Sequence, residues 1–211
     1  RLGCKRALVL STSAQADAAS DLARSLGKMS LGVYAKAAMH TPVPITEAAM
    51  EVITEQRVDS VISFGGGSTT GLGKAIALRT GLPQIAIPTT YAGSEVTDIL
   101  GETENGVKTT QKTASVIPEV VLYDPDLTLS LPKMMSITSG LNAIAHAVEA
   151  LYAKDRNPIS TIMAAEGARA MIAALPKIAD DPNDPEGRDQ ALYGAWLCGA
   201  VLGQVGMALH H

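Results

Sequence analysis

Short apolar segments alternate with longer helix-like segments along the first 131 residues of the chain. The strand-like segments are rich in β-branched and aliphatic residues and lie at Ala7–Leu10, Leu31–Ala35, Val58–Phe64, Gln84–Ile87 and Glu119–Tyr123. The segments between them with helical composition are Ala14–Leu26, Ile45–Gln56 and Leu72–Arg79. This alternation predicts βαβ units and a parallel sheet with helices on both faces.

After Pro132 the pattern changes to helices alone. They are expected over Ser136–Lys154, Pro158–Leu175 and Glu186 to about His211, with Pro158 at a helix start and Pro176 ending a helix. We therefore predict an α/β domain over residues 1–131 and an all-α domain over residues 132–211. The chain stops inside an apolar helical segment, so the helical domain is expected to be incomplete.

Glycines interrupt the last predicted helix. Interior glycines cost helix stability, so their presence predicts close packing against neighbouring backbone or a ligand. They are Gly194, Gly199, Gly203 and Gly206.

Composition narrows the class of protein and its partners. The 211 residues are 46% hydrophobic, which is enough to form a real core, and the formal charge is −4. We therefore expect no nucleic-acid partner. The longest apolar run, Ala195–Leu209, is shorter than the roughly 20 residues that span a bilayer, so no membrane insertion is expected. Cys4 and Cys198 have no CxxC spacing and are interpreted as core thiols of a cytoplasmic protein.

The stretch SFGGGSTTGLGK (Ser63–Lys74) joins a predicted strand to a predicted helix and contains five glycines. Glycine lets the backbone approach a ligand closely, and the free N–H groups of a helix start attract anions. The stretch therefore predicts phosphate binding, with a tight turn that binds nothing as the alternative. It matches neither the Walker pattern nor GxGxxG.

Three loops follow predicted parallel strands and are candidates for one ligand crevice. They are the glycine-rich loop, PTTYAGSE after Ile87 and DPDLT after Tyr123. Ligands in open α/β sheets bind outside the carboxyl ends of the strands, so we expect these loops to converge.

The first predicted helix of the second half carries a polar trio, Asn142, His146 and Glu149, whose spacing places them on one helix face. A single histidine on a helix is more often a packed, hydrogen-bonded residue than a ligand. His210 and His211, on a later predicted helix, would add imidazoles for metal binding or proton transfer. A neighbouring stripe is expected to face the core and comprises Leu141, Ile144, Ala145, Val148, Leu151 and Tyr152.

Several ordered motifs together resemble the iron-containing alcohol dehydrogenase family over essentially the whole chain. They are GGGSTTGLGKAIALRTGLPQIAIPTTYAGSEVT, the spacing from Lys108 to Pro118, YDPDLTLSLP and SGLNAIAHAVEAL. The resemblance implies a Rossmann-like nucleotide-binding α/β domain followed by a helical domain, with the chemistry in a cleft between them.

The resemblance also implies a nicotinamide cofactor, NADH or NADPH. The implied contacts to the cofactor are Gly65, Gly66, Gly67 and Ser68 at the pyrophosphate, Thr89, Thr90, Tyr91 and Ser94 near the ribose and nicotinamide, and Lys108. Family members restricted to NAD often carry an acidic residue at the end of the second strand. Here Ala35 and Lys36 stand at that point, so NADPH is not expected to be excluded.

The implied catalytic residues are Asn142, His146 and His211. The usual metal ligands of the family begin with an Asp four residues before a His, whereas this chain has Asn142 before His146. A neutral amide is a weaker ligand than a carboxylate, so no tightly bound divalent metal is expected, and His146 and His211 would be the ligands if one binds. The change also removes a negative charge, which suits a dianionic substrate.

Within the family, the chain is most similar to members that reduce the carbon–carbon double bond of a small dianionic oxo acid. The implied activity is therefore an NAD(P)H-dependent reduction in the breakdown of aromatic compounds. We expect the protein to form a homodimer and to be cytoplasmic. Two alternatives stay open: a metal-dependent alcohol dehydrogenase of the same family, and a nucleotide-binding module without catalysis.

Overall fold

The computed structural model describes residues 2–206 and divides the chain into two compact units. Unit 1 runs from the N terminus to Pro88 and includes Asp98–Leu122. Unit 2 comprises Thr89–Thr97 and the chain from Tyr123 onward. The domain boundary between residues 131 and 132, and the convergence of the three loops, stay predictions.

Unit 1 contains a five-stranded sheet of order β2-β1-β3-β4-β7 in which each strand pair is parallel. Its strands are β1 (Ala7–Leu10), β2 (Ser30–Tyr34), β3 (Ser60–Gly65), β4 (Gln84–Pro88) and β7 (Val120–Val121). The connecting helices are α1 (Ala16–Ser25), α2 (Val43–Gln56) and α3 (Gly67–Thr80). The predicted parallel α/β fold is confirmed.

The strand order contains a topological switch at the centre of the sheet. β2 lies on one side of β1 and β3 lies on the other, so the connections leave β1 and β3 in opposite directions. A crevice therefore opens at the carboxyl ends of these two strands, where open α/β sheets bind ligands. The loop that follows β3 begins at this point.

The core of unit 1 lies between the sheet and its helices. Leu8, Leu10 and Val61 of the central strands pack with Leu72 and Ile76 of α3, and all are buried. Strands buried on both faces read as continuous apolar runs, which is why β1 and β3 could be recognised in the sequence.

An antiparallel hairpin was not predicted. It consists of β5 (Ile99–Glu104) and β6 (Val107–Lys112), which pair in register around Asn105 and Gly106. Both turn residues have positive φ, 50° and 77°, as a two-residue hairpin turn of the Asn-Gly type requires.

Unit 2 is built around three helices, α4 (Lys133–Tyr152), α5 (Pro158–Asp180) and α6 (Pro185–Gln204). Its core combines small residues with larger ones such as Met171, Ile178 and Leu192. The second half of the described chain contains no strand after Val121, as the pattern predicts.

Two predicted helix ends are wrong. α5 continues through Pro176 to Asp180, because Leu175 and Ile178 are buried and their packing holds the helix together across the missing N–H group. α6 ends at Gln204, where Val205 takes an extended conformation, and does not run on to His211. His210 and His211 lie outside the described residues.

Two of the four glycines predicted to pack closely, Gly194 and Gly199, do so, whereas Gly206 lies beyond the end of α6 at Gln204. A Cβ on Gly199 would lie 2.6 Å from the carbonyl oxygen of Gly93, and one on Gly194 would lie 3.1 Å from that of Gly167. Both contacts are within unit 2; the one at Gly199 is too close for a Cβ, and the one at Gly194 would require the neighbouring backbone to shift slightly.

The two cysteines differ in environment, which corrects one half of the prediction. Cys198 is fully buried, and burial raises the pKa of its thiol to about 12, so it is a neutral core residue. Cys4 is only half-buried, so it is not a core thiol; both cysteines are free. Within residues 2–206, no helix combines the length and apolar character needed to cross a membrane.

Candidate active site

The glycine-rich loop forms the junction between β3 and α3. β3 ends at Gly65, Gly66 is the N-cap of α3, and the helix begins at Gly67, five residues earlier than predicted. Gly66, Gly67 and Ser68 are half-buried, so their backbone is accessible to a ligand. A glycine N-cap has no side chain to bond to the first N–H groups of the helix, and the first turn carries no acidic residue. The positive end of a 14-residue helix is thus available to an anion.

The glycines of this stretch have two different roles. Gly65 has φ = 149°, and a Cβ there would lie 2.5 Å from Thr69 Oγ1 and 2.9 Å from Gln15 Oε1. A Cβ on Gly71 or Gly73 would overlap a neighbouring hydroxyl group. These three glycines are required by packing within unit 1. Gly66, at φ = −91° and ψ = −158°, has a backbone conformation that any residue adopts.

The surroundings of the loop fit a dinucleotide pyrophosphate. Ser11, directly after β1, and Thr69, in the first turn of α3, have buried hydroxyl oxygens without a hydrogen-bond partner in the described part of the chain. Both lie at the carboxyl edge of the sheet beside the switch point. Backbone N–H groups at a helix start, small residues and spare hydroxyls suit a phosphate cradle.

The end of β2 lacks a carboxylate at the position that selects for NAD in the family. β2 ends at Tyr34, so Ala35 is the first residue beyond the strand, and Lys36 is exposed. The Lys36 ammonium lies 6.0 Å from the centroid of the Tyr34 ring. A cation in this place is compatible with a 2′-phosphate.

The segment Thr89–Thr97, called the 89–97 segment below, follows β4 but belongs to unit 2. Thr89 and Tyr91 are 2% and 0% exposed, whereas Thr90 and Ser94 are half-buried. Thr90 and Ser94 are therefore the predicted cofactor contacts of this segment that present polar groups at the surface. Tyr91 instead packs into the core of unit 2.

Lys108, the last predicted cofactor contact, lies on β6. Its side chain is exposed, and its ε-carbon would lie 3.1 Å from a Cβ on Gly101 of the paired strand. Lys108 pairs with Thr103 across the hairpin, and its contact with the cofactor, like those of the GGGS loop (Gly65–Ser68), stays a prediction.

Two predicted catalytic residues are adjacent on α4. The amide nitrogen of Asn142 lies 3.3 Å from Nε2 of His146, a distance suited to a hydrogen bond from the amide to an unprotonated ring nitrogen. His146 is 4% exposed, and Asn142 is exposed. Glu149 is buried one turn further on and accepts a hydrogen bond from the hydroxyl of Tyr152 at 3.3 Å.

The apolar stripe predicted beside this trio is wrong. The buried face of α4 consists instead of small residues, such as Gly140, Ala143, Ala147 and Ala150, together with His146 and Glu149. Four of the six stripe residues, Leu141, Val148, Leu151 and Tyr152, are exposed in this chain, Leu141 by 54%. Small residues face the core because α4 packs close to α5, where a Cβ on Gly140 would lie 2.5 Å from Leu175 Cδ2.

The described residues do not make up an iron site. Among residues 2–206 no group of three or more His, Cys, Asp or Glu side chains is arranged to hold a metal ion. Asn142 and His146 supply one neutral amide and one imidazole, and His211, the further predicted ligand, lies outside the described residues.

Sequence reasoning missed two buried charged residues near the predicted site. Arg188 of α6 is fully buried, and Glu95 of the 89–97 segment is buried and accepts a hydrogen bond from the Tyr123 hydroxyl at 3.0 Å. Burial, together with the Glu95 carboxylate, raises the pKa of Tyr123 and keeps its hydroxyl protonated as a donor. The burial of Arg188 could have been inferred from the sequence, because it lies on the same helix face as the apolar Ala191, Leu192 and Ala195.

The parallel sheet, the switch point and the glycine-rich helix start define the class of a nucleotide-binding α/β protein with a helical region. Models of two protein families match the chain. Residues 1–125 match the iron-containing alcohol dehydrogenase family, and residues 136–211 match the C-terminal region of the Fe-containing alcohol dehydrogenase family. The chain belongs to the iron-containing alcohol dehydrogenase family.

Several curated relatives of high identity carry the name maleylacetate reductase. The chain is 64% identical over all 211 residues to maleylacetate reductase of Rhizobium sp. (strain MTP-10005) and 57% identical over 206 residues to that of Sphingobium indicum. The crystal structure of maleylacetate reductase from Agrobacterium tumefaciens superposes with a TM-score of 0.96 at 63% identity, over 99% of this chain and 59% of that one. The chain spans 60% and 58% of the lengths of the two relatives. The family name, that of iron-containing enzymes, gives no support to the prediction that a metal is dispensable.

Proposed function

We propose that the complete protein reduces the carbon–carbon double bond of maleylacetate to give 3-oxoadipate, with NADH or NADPH as reductant, in the breakdown of aromatic compounds. The observation that carries this proposal is the Asn142–His146 pair on α4, in which an amide stands where metal-binding family members have a carboxylate. Relatives named maleylacetate reductase, at 64% and 57% identity, support the same substrate.

The first requirement of this reaction is a bound nicotinamide cofactor, which supplies a hydride. The N–H groups of Gly67 and Ser68 would donate to its pyrophosphate, and Gly66 permits the approach because no Cβ stands above the helix start. Ala35 and Lys36 leave room for the 2′-phosphate of NADPH, so either cofactor serves. The protein supplies placement, and the cofactor supplies the hydride.

The second requirement is stabilisation of negative charge on the substrate. Hydride addition to the carbon β to the ketone turns the conjugated enone into an enolate, and its oxygen needs hydrogen-bond donors. The exposed amide of Asn142 can donate to this oxygen without adding a charge that repels a dianion. Protonation of the α carbon completes the reaction, and His146, whose Nε2 lies beside that amide, would first take up a proton from solvent and then transfer it.

We further propose that this activity does not depend on a tightly bound divalent metal. An amide oxygen at position 142 is a weaker ligand than the carboxylate it replaces, and replacing it removes the one anionic ligand from the family's set. The test is dialysis of the complete protein against a chelator, followed by assay and elemental analysis of the same sample. Retained activity at substoichiometric metal supports the proposal, and loss restored by one equivalent of iron or zinc contradicts it.

The remaining features of the complete protein are also proposals. A small dianionic substrate requires cationic side chains, which this part of the chain does not identify. We propose a homodimer in the cytoplasm, where reduced nicotinamide is regenerated. Gel filtration with light scattering tests the oligomeric state.

Steady-state assay with maleylacetate and each reduced nicotinamide tests the proposed function. We expect consumption of one nicotinamide per 3-oxoadipate formed, with both cofactors active. Oxidation of simple alcohols that depends on added iron, without reduction of maleylacetate, would instead identify a metal-dependent alcohol dehydrogenase. Cofactor binding without turnover of either substrate would identify a nucleotide-binding module.

A further inference from the structure

Arg188 of α6 is a buried charge with an unusual set of partners. It is fully buried, and its guanidinium donates four hydrogen bonds to neutral oxygens. The acceptors are the carbonyl of Pro182 at 2.9 Å, the Tyr91 hydroxyl at 3.1 Å, the Ser136 hydroxyl at 2.8 Å and the carbonyl of Leu131 at 3.2 Å. Burying a charge without an opposite charge is costly, so these bonds need to be retained together.

The four acceptors come from separate parts of unit 2. Pro182 and Leu131 belong to loops that precede α6 and α4, Ser136 lies in the first turn of α4, and Tyr91 lies in the 89–97 segment. One planar group therefore fixes the segment that carries Thr90 and Ser94 against the helix that carries Asn142 and His146. A guanidinium can do this because its donors point in several fixed directions.

The 89–97 segment makes three further contacts within unit 2, in addition to its hydrogen bond with Arg188. The backbone N–H of Tyr91 donates to the Ser139 hydroxyl on α4 at 3.1 Å, so Tyr91 is held at its backbone by α4 and at its hydroxyl by α6. Gly93 packs against Gly199 of α6, and Glu95 accepts from Tyr123. Each of these contacts joins the segment to one other element, whereas the side chain of Arg188, on α6, bonds to both the segment and α4.

We propose that Arg188 is a positioning residue, which acts through Tyr91 and Ser136 to set the distance between the nicotinamide-facing hydroxyls of the 89–97 segment and the Asn142–His146 pair. This inference rests on the proposed function, since that function makes the segment part of the nicotinamide site. Arg188 itself touches neither cofactor nor substrate, because it has no exposed surface.

The test uses the complete protein with Arg188→Lys, which keeps the charge but loses the fork of donors, and with Tyr91→Phe, which removes one acceptor alone. Arg169→Lys is the matched control, because Arg169 lies exposed on α5 and pairs with Glu166 on the same surface. Hydrogen exchange of the 89–97 segment, NADH affinity and the kinetic constants are measured for each variant.

We expect Arg188→Lys to speed amide exchange in the 89–97 segment about tenfold, since a hydrogen bond to a buried charged group is lost, with α3 unaffected. The NADH dissociation constant should rise by about the same factor, and kcat should fall. Tyr91→Phe should act in the same direction, and the double variant should be no worse than Arg188→Lys alone, because the contact that Tyr91→Phe breaks is already lost in Arg188→Lys. Arg169→Lys should behave as wild type.

A folded Arg188→Lys enzyme with a lower melting temperature but unchanged exchange in the segment and unchanged NADH affinity would overturn the proposal and leave Arg188 a purely structural residue. If Arg188→Lys does not fold, Tyr91→Phe decides by the same two readouts. Failure of the proposed function can be told apart from failure of this proposal. A wild-type protein that binds NADH but does not reduce maleylacetate would refute the proposed function. Hydrogen exchange and NADH affinity of the variants would still test the role of Arg188.

Discussion

The GGGS loop of unit 1 and the Asn142–His146 pair of unit 2 are the two candidate functional regions of the described chain, and they are built from different chemical groups. The loop offers backbone N–H groups at the start of α3, and its shape is set by glycines within unit 1. The pair offers side chains, and the predicted third member of that group, His211, lies outside the described residues. A backbone site is complete within one stretch of sequence, whereas a side-chain site is assembled from distant positions.

Gly66→Val gives the largest expected effect and tests the loop as a binding site. The backbone of Gly66 is in an ordinary extended conformation, so the branched side chain should leave the fold intact while blocking the approach of the pyrophosphate. We expect NADH affinity to fall by roughly 100-fold or more, equivalent to about 2.7 kcal/mol. Isothermal titration calorimetry of the folded variant measures this, and unchanged affinity would show that the loop is only a turn.

Gly65→Ala sharpens the contrast within the same loop. Its Cβ would enter the contact with Thr69 and Gln15 at a φ that disfavours side chains, so we expect loss of stability, about 2 kcal/mol. Urea unfolding of the complete protein measures this effect. A Gly65→Ala variant as stable as wild type would show that the packing assigned to Gly65 relaxes freely.

Asn142→Asp tests the side-chain region. The added carboxylate restores an anionic ligand beside His146 and returns a negative charge to the region that would receive a dianion. We expect the kcat/KM for maleylacetate to fall by about tenfold and the affinity for zinc or iron to rise. Asn142→Ala is the control, since it removes the amide without adding charge. A kcat/KM for Asn142→Asp at or above that of wild type would show that negative charge at position 142 does not repel the substrate.

Ala35→Asp concerns cofactor choice at the end of β2. A carboxylate beside a 2′-phosphate is a like-charge contact, so the ratio of kcat/KM for NADPH to that for NADH should fall by about tenfold. Lys36→Gln is a companion change that removes the nearby cation without adding an anion, and it should lower the same ratio less. An unaltered ratio in Ala35→Asp would mean that the end of β2 does not face the ribose.

The sheet could be predicted because its strands are buried and read as apolar runs bounded by turn residues. The β5–β6 hairpin could not be recognised by that criterion, since every residue of Val107–Lys112 is exposed. Its Asn105-Gly106 turn was the available signal, because this dipeptide adopts the positive φ values of tight hairpins. Hydrophobic periodicity identifies strands that face a core. It misses exposed strands, which are held by backbone hydrogen bonds and carry no apolar pattern.

The helical unit shows a different limit. Its helices were expected from composition, but the face of α4 that packs was assigned wrongly, because small residues such as Ala143 and Ala147 are buried while Leu141 is exposed. Periodicity treats large apolar residues as the core face, whereas close helix packing prefers small ones. The role of Arg188 depends on partners up to 97 positions away, which no local pattern contains.

Hydride transfer to maleylacetate is the most direct test of the proposed reaction, because it requires the loop to bind the cofactor pyrophosphate and the α4 pair to stabilise an enolate. The complete protein is supplied with maleylacetate and NADH carrying deuterium at the transferred C4 position, and the product is examined by NMR. We expect 3-oxoadipate with deuterium on the carbon β to the ketone. Deuterium on a carbinol carbon, which would mean reduction of the ketone, or no transfer at all would contradict it.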